Sequence, residues 1–437
     1  MWNNPFTYGN PISDPARFFG RTREVRQIFD RLRNKEFESS SIVGERRIGK
    51  TSLLNFITDP DVRAAQDLSP ERYTFINVDF QMLGEAMGPD ELWRRLLQSM
   101  RRDCTDQTIG EIVAVIESRE RLDNFELDEL FHDIDARGQH LVFLLDEFDR
   151  VTENANFGPE FYYGLRSLVT RHRIALVTSS RLDLVDLCHS EPVKSSPFFN
   201  IFAKFSLRLF SEKDALSLIS RSLLETPVRF TESETEHVLN LAGRHPYFLK
   251  VACGKLFEAY QLGYDGTMRM DFLSREFRAQ ADPHFVGYWD NSNDDEKITL
   301  TAAALLEMTR PTQEFSLGEL QRVFSRSEPG VEDLSERGLL IRRDGMVRLF
   351  SPALGPWIVR QISADLAEEQ SYHEWLARNG SMERITGRRG PLRKTLPKIG
   401  ARYRKLILTW ASDPQTLPAM ASLLNSVLTL VNEAKTL

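Results

Sequence analysis

Two glycines, a lysine and a threonine are the residues of this chain whose types and spacing most directly predict chemistry. Gly44 and Gly49-Lys50-Thr51 satisfy the pattern G-x-x-x-x-G-K-[ST], in which backbone N–H groups turn toward phosphate oxygens. Lys50 would neutralise the β- and γ-phosphates, and the hydroxyl of Thr51 would bind Mg²⁺. We expect the phosphates of a nucleotide, ATP or ADP, to be surrounded by Gly44, Glu45, Arg46, Arg47, Ile48, Gly49, Lys50, Thr51 and Ser52.

The elements on either side of this loop must hold it in place. A β-forming run over 39–43 precedes the loop, and Leu53, Leu54, Phe56 and Ile57 follow it with helical spacing. The first N–H groups of a helix are unpaired and carry the positive end of its dipole, so a helix that begins here favours anion binding. An ordinary glycine-containing turn between a strand and a helix is the alternative.

Two acids follow a second apolar run and predict the other half of a nucleotide site. The run over 141–145 is typical of a buried parallel strand, and it ends in Asp146 and Glu147. Asp146 would hold Mg²⁺ through its water shell, and Glu147 would orient or deprotonate the attacking water. The alternative is that the two acids only cap a strand.

A third apolar run, over 174–178, ends in Ser179-Ser180-Arg181. Arg181 is placed to contact the γ-phosphate, unless it is only a surface cation. Helical segments separate the β-forming runs, so we expect an α/β fold with a doubly wound, parallel, five-stranded sheet. The five runs are 39–43, 73–80, 141–145, 174–178 and 202–209.

An extended arm broken by proline and glycine precedes the first helix. Gly20 and Arg21 lie at the start of that helix, and the arm could lay Phe19 and Gly20 against the adenine ring. The alternative is a strap that only covers the surface. We assign residues 1–210 to an ATPase core that includes this arm.

The next segments predict a helical lid and a winged helix. Capping sequences at Ser211 and Thr231 begin two helices, and Pro246 occupies a helix-initiating position, which together predict a lid over 211–290. Three helical patterns and a hairpin around Asp344-Gly345 predict a winged helix over 291–362. Only its wing is basic, through Arg342, Arg343 and Arg348, whereas its third helix is acidic; this favours packing and switching over DNA recognition. The acidic residues are Glu328, Glu332, Asp333 and Glu336.

Beyond this module we predict a C-terminal helical region over 363–437. Between Arg384 and Lys405 it carries a basic segment with no acidic residue, which is either a solvated face or a surface for nucleic acid or for an acidic protein. The segment contains Arg384, Arg388, Arg389, Arg393, Lys394, Lys398, Arg402, Arg404 and Lys405.

Composition excludes several classes of protein. A chain of 437 residues with 41% hydrophobic and 27% charged residues is typical of a globular protein with more than one domain. Its net charge of −7 argues against an overall nucleic-acid coat. Three widely spaced cysteines indicate neither a disulfide framework nor a zinc site, and no apolar run has the length of a bilayer span. We therefore expect a cytoplasmic protein without a membrane partner.

Taken together, these motifs resemble the STAND branch of AAA+-like P-loop ATPases, in particular the prokaryotic members related to archaeal ATPases. The resemblance covers about residues 4–360 and includes Gly243-x-His245-Pro246. It implies an ATPase, a lid and a winged helix that close over ADP and open on exchange for ATP, which permits homo-oligomerisation. It also implies that Phe19, Gly20, Arg21 and Pro246 lie around the adenine and that Arg181 contacts the γ-phosphate.

The chain departs from this family pattern in two places. Many members end the winged helix with a histidine that clamps ADP, but residues 350–354 contain none, which argues against a tightly locked ADP state. The chain also lacks the repeat array that usually senses a ligand, so the sensor or effector is expected in the C-terminal region or in a partner protein.

Three functional hypotheses follow. The first is an ATP-binding, slowly hydrolysing switch that oligomerises or recruits a partner. The second is a DNA-engaging AAA+-like ATPase that uses the wing and the basic segment. The third is a scaffold that binds nucleotide only for stability.

Overall fold

The computed structural model describes residues 2–104, 106–120, 122–308, 314–324 and 327–366. The basic segment and nearly all of the predicted C-terminal region lie outside these residues. The chain divides into two compact units, Gly9–Phe210 and a unit that combines the first eight residues with the chain from Ser211 on. The four predicted domains remain a prediction. No helix in the described ranges is long and apolar enough to cross a bilayer.

The first unit contains the predicted parallel sheet. Its strand order is β2-β3-β4-β1-β5, and every neighbouring pair is parallel, which confirms the predicted fold class. Every residue of β1, β3 and β4 is buried, because helices cover both faces of the sheet. The strands are β1 Ser39–Val43, β2 Tyr73–Asp79, β3 His140–Asp146, β4 Ile174–Ser180 and β5 Phe202–Ser206.

Alternate residues of the central strands point to different cores. On β3, Val142 and Leu144 pack with apolar residues of α1 and α2, whereas Phe143 and Leu145 pack with those of α4, α5, α6 and α8. The helices of this unit are α1 Thr22–Arg33, α2 Lys50–Thr58, α3 Pro60–Ala64, α4 Pro89–Asp103, α5 Gln107–Glu117, α6 Asn124–Ala136, α7 Asp149–Glu153, α8 Pro159–Arg171 and α9 Glu191–Lys194.

The second unit is mainly helical. The predicted caps are present, since the Ser211 and Thr231 side chains accept hydrogen bonds from the first turns of α10 and α11, and Pro246 is the first residue of α12. Asp294 and Asp295 lie in the first turn of α14. The helices are α10 Glu212–Ser222, α11 Glu232–Ala242, α12 Pro246–Gln261, α13 Gly266–Asp290, α14 Asp294–Met308, α15 Leu317–Val323, α16 Ser327–Glu336 and α17 Leu354–Leu366.

The three helices and the hairpin predicted for residues 291–362 are present as α14–α16 with β7 and β8. A short strand, β6, adds to the hairpin, so that the small sheet has the order β6-β8-β7. Arg337, which directly follows α16, turns inward and donates to Glu296 at 2.7 Å. α17 runs across the predicted boundary between 362 and 363. The strands are β6 Phe315–Ser316, β7 Leu340–Arg343 and β8 Met346–Leu349.

The N-terminal arm divides between the two units. Asn4 Nδ2 donates to the carbonyl of Gly254 on α12 at 3.0 Å, and the ring of Phe6 stacks on Phe230 at 6.0 Å. The arm from Gly9 on belongs to the sheet-containing unit. Residues 2–8 therefore pack against helices of the second unit.

A buried carboxyl group joins α14 to the hairpin. Glu307 is 5% exposed and accepts a hydrogen bond from the backbone N–H of Leu349. Burial raises the pKa of Glu307 to about 8, while that hydrogen bond and the charge of Arg348 oppose the rise. The side chain is therefore neutral in the folded protein at neutral pH.

Replacing Glu307 by Gln should remove part of the pH dependence of stability. The unfolded chain ionises this residue near its ordinary pKa of 4.5, whereas the folded chain keeps it protonated up to about pH 8. The free energy of unfolding of the unaltered protein should therefore fall as the pH rises between these values, by at most about 1.4 kcal/mol per pH unit. Urea denaturation at both ends of the range should show no such fall for Glu307→Gln. The exposed neighbour Glu314→Gln should retain it, and an unchanged slope in Glu307→Gln would contradict the assignment.

Candidate nucleotide-binding site

The loop between β1 and α2 depends on its two glycines. A Cβ atom at Gly44 would lie 2.9 Å from Cγ2 of Ile48 and 3.1 Å from the carbonyl oxygen of Leu207, both too close. Gly49 precedes α2 with φ of 107°, a conformation that side-chain-bearing residues rarely adopt. The loop is therefore compact, and its shape requires glycine at both positions.

Lys50 points back into this loop. Its Nζ donates to the carbonyl oxygens of Gly44 at 2.9 Å and Glu45 at 3.4 Å, and the side chain is 5% exposed. Glu45 is also buried, whereas Arg46 and Arg47 are exposed. A buried ammonium group held by carbonyl oxygens provides a fixed positive charge at the centre of the loop.

A chain of hydrogen bonds joins the loop to the acids that follow β3. Thr51 Oγ1 donates to Asp146 Oδ2 at 2.7 Å, and Ser179 Oγ donates to the other carboxylate oxygen. Leu145 pairs with Thr178 in the sheet, so the next residues, Asp146 and Ser179, lie side by side. The structure thus brings the two predicted Mg²⁺ ligands, Thr51 and Asp146, into direct contact. The bond from Ser179 to Asp146 was not predicted, although the alignment of the two strand ends is the signal that could have revealed it.

Glu147 leaves the strand in an unusual backbone conformation. Its φ is 55°, and its N–H donates to Asp146 Oδ1 at 3.2 Å and to Ser179 Oγ at 3.1 Å. Burial raises the pKa of Glu147, which the positive charge of Lys50 opposes and the negative charges of Asp149 and Asp146 reinforce. The arrangement favours a carboxyl group that can accept a proton.

Arg181 is held by two acids that were given no role from sequence. Its Nε lies 3.0 Å from Asp149 Oδ2, and its Nη2 lies 2.6 Å from Glu153 Oε1. Asp149 is 1% exposed, and its Oδ1 has no hydrogen-bond partner within the described part of the chain. The contact of Arg181 with a γ-phosphate remains a prediction, and Asp149 and Glu153 would compete with the phosphate for this guanidinium group.

Arg21 supports the loop from α1. Its backbone is left-handed, with φ of 61°, and its side chain is buried. Nη2 donates to the carbonyl oxygen of Ile48 at 3.1 Å, and the guanidinium carbon lies 5.0 Å from the ring centre of Phe210. Phe19 is buried as well, and Gly20 has φ of 69°. The hydrogen bond to the loop was not predicted; adenine contact by Phe19, Gly20 and Arg21 remains a prediction.

The arm beyond Gly9 lies along α2. Two side chains of α2 hold the backbone of Ile12. Ser52 Oγ accepts from the Ile12 N–H at 3.0 Å, and Asn55 Nδ2 donates to the Ile12 carbonyl oxygen at 3.0 Å. Arg47 Nη1 donates to the carbonyl oxygen of Gly9 at 2.9 Å. Ser52, predicted to bind phosphate, therefore has a structural partner through its side chain, and its backbone N–H lies in the first turn of α2.

Pro246 belongs to the other compact unit, so its contact with adenine remains a prediction. The residues before it are closely packed: a Cβ atom at Gly243 would overlap the carbonyl oxygen of Phe350. The ring of His245 is buried, and its Nε2 lies 3.2 Å from the hydroxyl oxygen of Tyr288. This geometry supports the structural interpretation of His245.

The residues around the loop fit a magnesium nucleotide. The loop is built on glycines, the buried Lys50 supplies a positive charge, and α2 begins at the loop and directs its unpaired N–H groups toward it. The Thr51 hydroxyl and the Asp146 carboxylate are oxygen ligands of the type that Mg²⁺ prefers. A profile of the Novel STAND NTPase 2 family matches residues 34–304, well over half of the chain and all of these side chains.

The chain belongs to this family. Membership confirms the resemblance to STAND and AAA+-like P-loop ATPases that the motifs predicted. No curated protein matches the sequence.

Two solved structures with a similar fold are archaeal proteins. A Walker-type ATPase of Pyrococcus abyssi is similar at 16% identity and a TM-score of 0.51, over 81% of this chain and 99% of that one. The ORC2 protein of Aeropyrum pernix, solved in ADPNP–ADP complexes, is similar at 16% identity and a TM-score of 0.54, over 83% and 98% of the two chains. At this identity the likeness shows the fold of this STAND NTPase and does not show its activity.

Replacing Arg21 by Ala should loosen the phosphate-binding loop of this STAND NTPase. The variant removes the guanidinium group that donates a hydrogen bond to the carbonyl oxygen of Ile48. A hydrogen bond from a charged group contributes about 1.5–3 kcal/mol, so deuterium exchange of the backbone amides at 44–49 should accelerate about tenfold or more. Mass spectrometry of the nucleotide-free protein measures this rate.

Arg23→Ala is the matched control for this measurement. Arg23 is an exposed arginine on the same helix. Exchange in the loop should remain at the unaltered rate in this variant. If deuterium exchange of the loop accelerates equally in both variants, the hydrogen bond from Arg21 does not specifically stabilise the loop.

Proposed function

We propose that this STAND NTPase is an ATP-binding, slowly hydrolysing molecular switch that oligomerises or recruits a partner protein in a nucleotide-dependent way. The observation that carries the proposal is the 2.7 Å hydrogen bond between Thr51 and Asp146, beside the buried Lys50. A hydroxyl and a carboxylate from two separate elements converge at one end of a charged, glycine-built loop. Mg²⁺ with ATP is the ligand whose chemistry uses all three groups.

Each side chain has a separate task in this proposal. Lys50 neutralises phosphate oxygens, and Thr51 and Asp146 hold Mg²⁺. Ser179 holds the Asp146 carboxylate in orientation through its hydrogen bond. Glu147 orients water and accepts its proton, for which its raised pKa is suited. Bound Mg²⁺ would supply charge neutralisation during transfer of the phosphoryl group to water.

The pairing of Arg181 supports a switch rather than a constantly active enzyme. Here Arg181 binds Asp149 and Glu153, so its charge is compensated without phosphate. A γ-phosphate, but not ADP, would compete for this guanidinium group. Binding of ATP would then change the contacts of α7, which begins directly after the two acids of the site.

A relative's ligands are consistent with alternation between two nucleotides. ORC2 of Aeropyrum pernix was solved with ADPNP and ADP, and it shares the fold of this chain. In the proposal, the oligomer or the partner interaction forms in the ATP state and involves the chain beyond residue 363. That part of the chain lies outside the described residues.

Lys50→Ala tests the proposal because it removes the buried charge of the loop. We expect affinity for labelled ATP with Mg²⁺ to fall on the order of a hundredfold, since a charged contact to phosphate is lost. The ATP-dependent increase in mass measured by light scattering should disappear with it. Lys35→Ala, an exposed lysine in the same unit, is the control and should leave both readouts unchanged.

Glu147→Gln separates the switch from the scaffold hypothesis. This variant should bind ATP and gain mass as the unaltered protein does, but release phosphate at a much lower rate. If phosphate release does not change, the hydrolytic role of Glu147 is wrong. The whole proposal is wrong if the unaltered protein binds no nucleotide, or if its mass in solution does not change when nucleotide is added.

Glu153→Gln should strengthen ATP binding selectively. The variant removes the more exposed of the two acids that hold Arg181 and leaves Asp149 in place. A surface ion pair contributes about 0.2–1 kcal/mol, so ATP affinity should rise up to about fivefold, with ADP affinity unchanged. Fluorescence titration with both nucleotides measures the ratio, and Glu160→Gln, an exposed acid on α8, is the control. An equal rise for ATP and ADP would mean that Glu153 acts only through general electrostatics.

DNA engagement is the second candidate, and one observation favours it. Arg342 and Arg343 are exposed at the tip of the hairpin. Against it, the charged residues that α16 exposes are all acidic, and Arg337, which follows the helix, is directed inward to Glu296. The basic segment on which this candidate also depends lies outside the described residues. The described surface therefore supports a protein or nucleotide switch better than DNA recognition.

A further inference from the structure

A groove at the edge of the large sheet has no part in the nucleotide site. It has a volume of about 280 Å³ and lies between the C-terminal half of β2 and one face of α4. β2 is the terminal strand of the sheet order, so one of its sides has no neighbouring strand among the described residues. The residues that matter for the groove are Asn77, Asp79, Arg95, Gln98, Ser99 and Arg102.

The strand side of the groove presents backbone groups that pair with no other strand in the described part of the chain. Two backbone hydrogen bonds fix the pattern. The N–H of His140 on β3 donates to the carbonyl oxygen of Arg72, next to β2, whereas the N–H of Leu141 donates to the carbonyl oxygen of Arg173, next to β4 on the other side of β3. In a parallel pair, successive residues of a strand bond alternately to opposite sides. Residues 72, 74, 76 and 78 therefore bond to β3, and the backbone groups of Asn77 and Asp79 point outward into the groove.

The helix side of the groove presents hydrogen-bond donors. Arg95, Gln98, Ser99 and Arg102 occur at spacings of three, four and seven residues, which place them on one face of α4. The opposite face of the helix is buried in the core through Leu92, Trp93, Leu96, Leu97 and Met100. Because the apolar face of α4 is packed in the core, its polar face is oriented toward the groove.

The charge of the groove identifies the kind of occupant. Its charged lining residues are two arginines, Arg95 and Arg102, and one acid, Asp79, on a chain whose net charge is −7. Asp79 uses its carboxylate to accept the N–H of Gln81 at 2.7 Å, whereas the side chains of Arg95 and Arg102 are 49% and 66% exposed. Arg95 pairs with the exposed Glu91 at 3.4 Å, and Arg102 pairs with the half-buried Asp103 at 2.7 Å, both on α4; an incoming carboxylate would share or replace these partners.

The far end of the groove is apolar and held in place. Met82, Leu83 and Met87 line it, and Met82 is 85% exposed. Asn156 Nδ2 donates to the carbonyl oxygens of Glu85 at 2.8 Å and Met87 at 3.2 Å, which fixes this loop. An apolar side chain can be received here without rearrangement of the backbone.

We propose that this groove binds an extended acidic segment of a partner protein, which adds to the edge of β2 as a further strand. The backbone of the segment bonds to Asn77 and Asp79, and its carboxylates face Arg95 and Arg102 across the groove. From Arg95 to Arg102 the helix rises about 10 Å, the length of three or four extended residues. The segment therefore has acidic residues at alternate positions and an apolar residue that reaches Met82. This inference does not depend on nucleotide binding.

The first test selects ligands without assuming a sequence. The full chain is immobilised and used to select from a displayed library of random peptides about seven residues long. Seven residues is the full length of β2, and the groove itself spans about three or four of them, so enriched peptides should carry Asp or Glu at two alternate positions. Absence of enrichment, or enrichment without acidic residues, overturns the proposal.

The second test locates the binding site with charge-reversal variants. A selected peptide, labelled with fluorescein, is titrated by anisotropy against the full chain. Affinity should fall at least about tenfold in Arg95→Glu combined with Arg102→Glu. Arg101→Glu is the matched control: Arg101 lies on the same helix, pairs with Glu117 at 3.3 Å and does not line the groove. If peptide affinity falls equally in both variants, the peptide is attracted by the overall charge of the protein and not by the groove, and the proposal is wrong.

The third test concerns the backbone and requires no variant of the protein. Peptides are N-methylated at alternate residues in two complementary sets. Methylation should abolish binding in the set whose N–H groups face β2 and should leave the other set within about twofold, because an added strand bonds through every second residue. Equal tolerance of both sets overturns strand addition. Should the peptides fail but charge reversal at Arg95 and Arg102 lower the mass of the protein in solution, the groove is an interface between copies of the chain and the proposal is wrong.

Discussion

The hydrogen bond from Thr51 to Asp146 is the interaction on which the arrangement of the nucleotide-binding unit depends. Thr51 follows β1 and Asp146 ends β3, yet these strands are not neighbours, because β4 lies between them. Two strand spacings are about 10 Å, too far for direct contact from the strands themselves. The loop and α2 bring the Thr51 hydroxyl across this distance, and Ser179 of the intervening strand supports the carboxylate from below. The site therefore exists only if three strands have the correct order and register.

Charge compensation explains why this unit tolerates so many buried ionic groups. Lys50 is held by carbonyl oxygens, Asp146 by two hydroxyl groups and Arg181 by two acids. Each of these groups would destabilise the fold if it were buried alone. Asp149 is the exception, because one of its oxygens has no partner in the described part of the chain. Asp149 therefore keeps one carboxylate oxygen available beside the Arg181 guanidinium group.

The parts of this structure that follow local rules could be predicted from sequence. The glycine-built loop, the five strands and the helix caps each depend on residues close together in the chain. The contacts of Arg21 and Arg337 could not be predicted in this way, because both side chains reach partners far away in sequence, and a non-glycine residue in the left-handed region gives no periodic signal. The pairing of Arg181 was missed for a related reason: its charge indicated a ligand contact, and only the tertiary structure supplies the competing acids.

The chain passes between its two compact units at residues 8–9 and 210–211, and both passages are attached to the phosphate-binding loop. At the first, Arg47 of the loop donates to the carbonyl oxygen of Gly9. At the second, the ring of Phe210 lies under Arg21, whose guanidinium group also holds the carbonyl oxygen of Ile48 in the loop. Neighbouring loop residues thus contact each point at which the chain leaves the nucleotide-binding unit. A shift of the loop would therefore disturb contacts close to both ends of this unit's chain, at Gly9 and at Phe210.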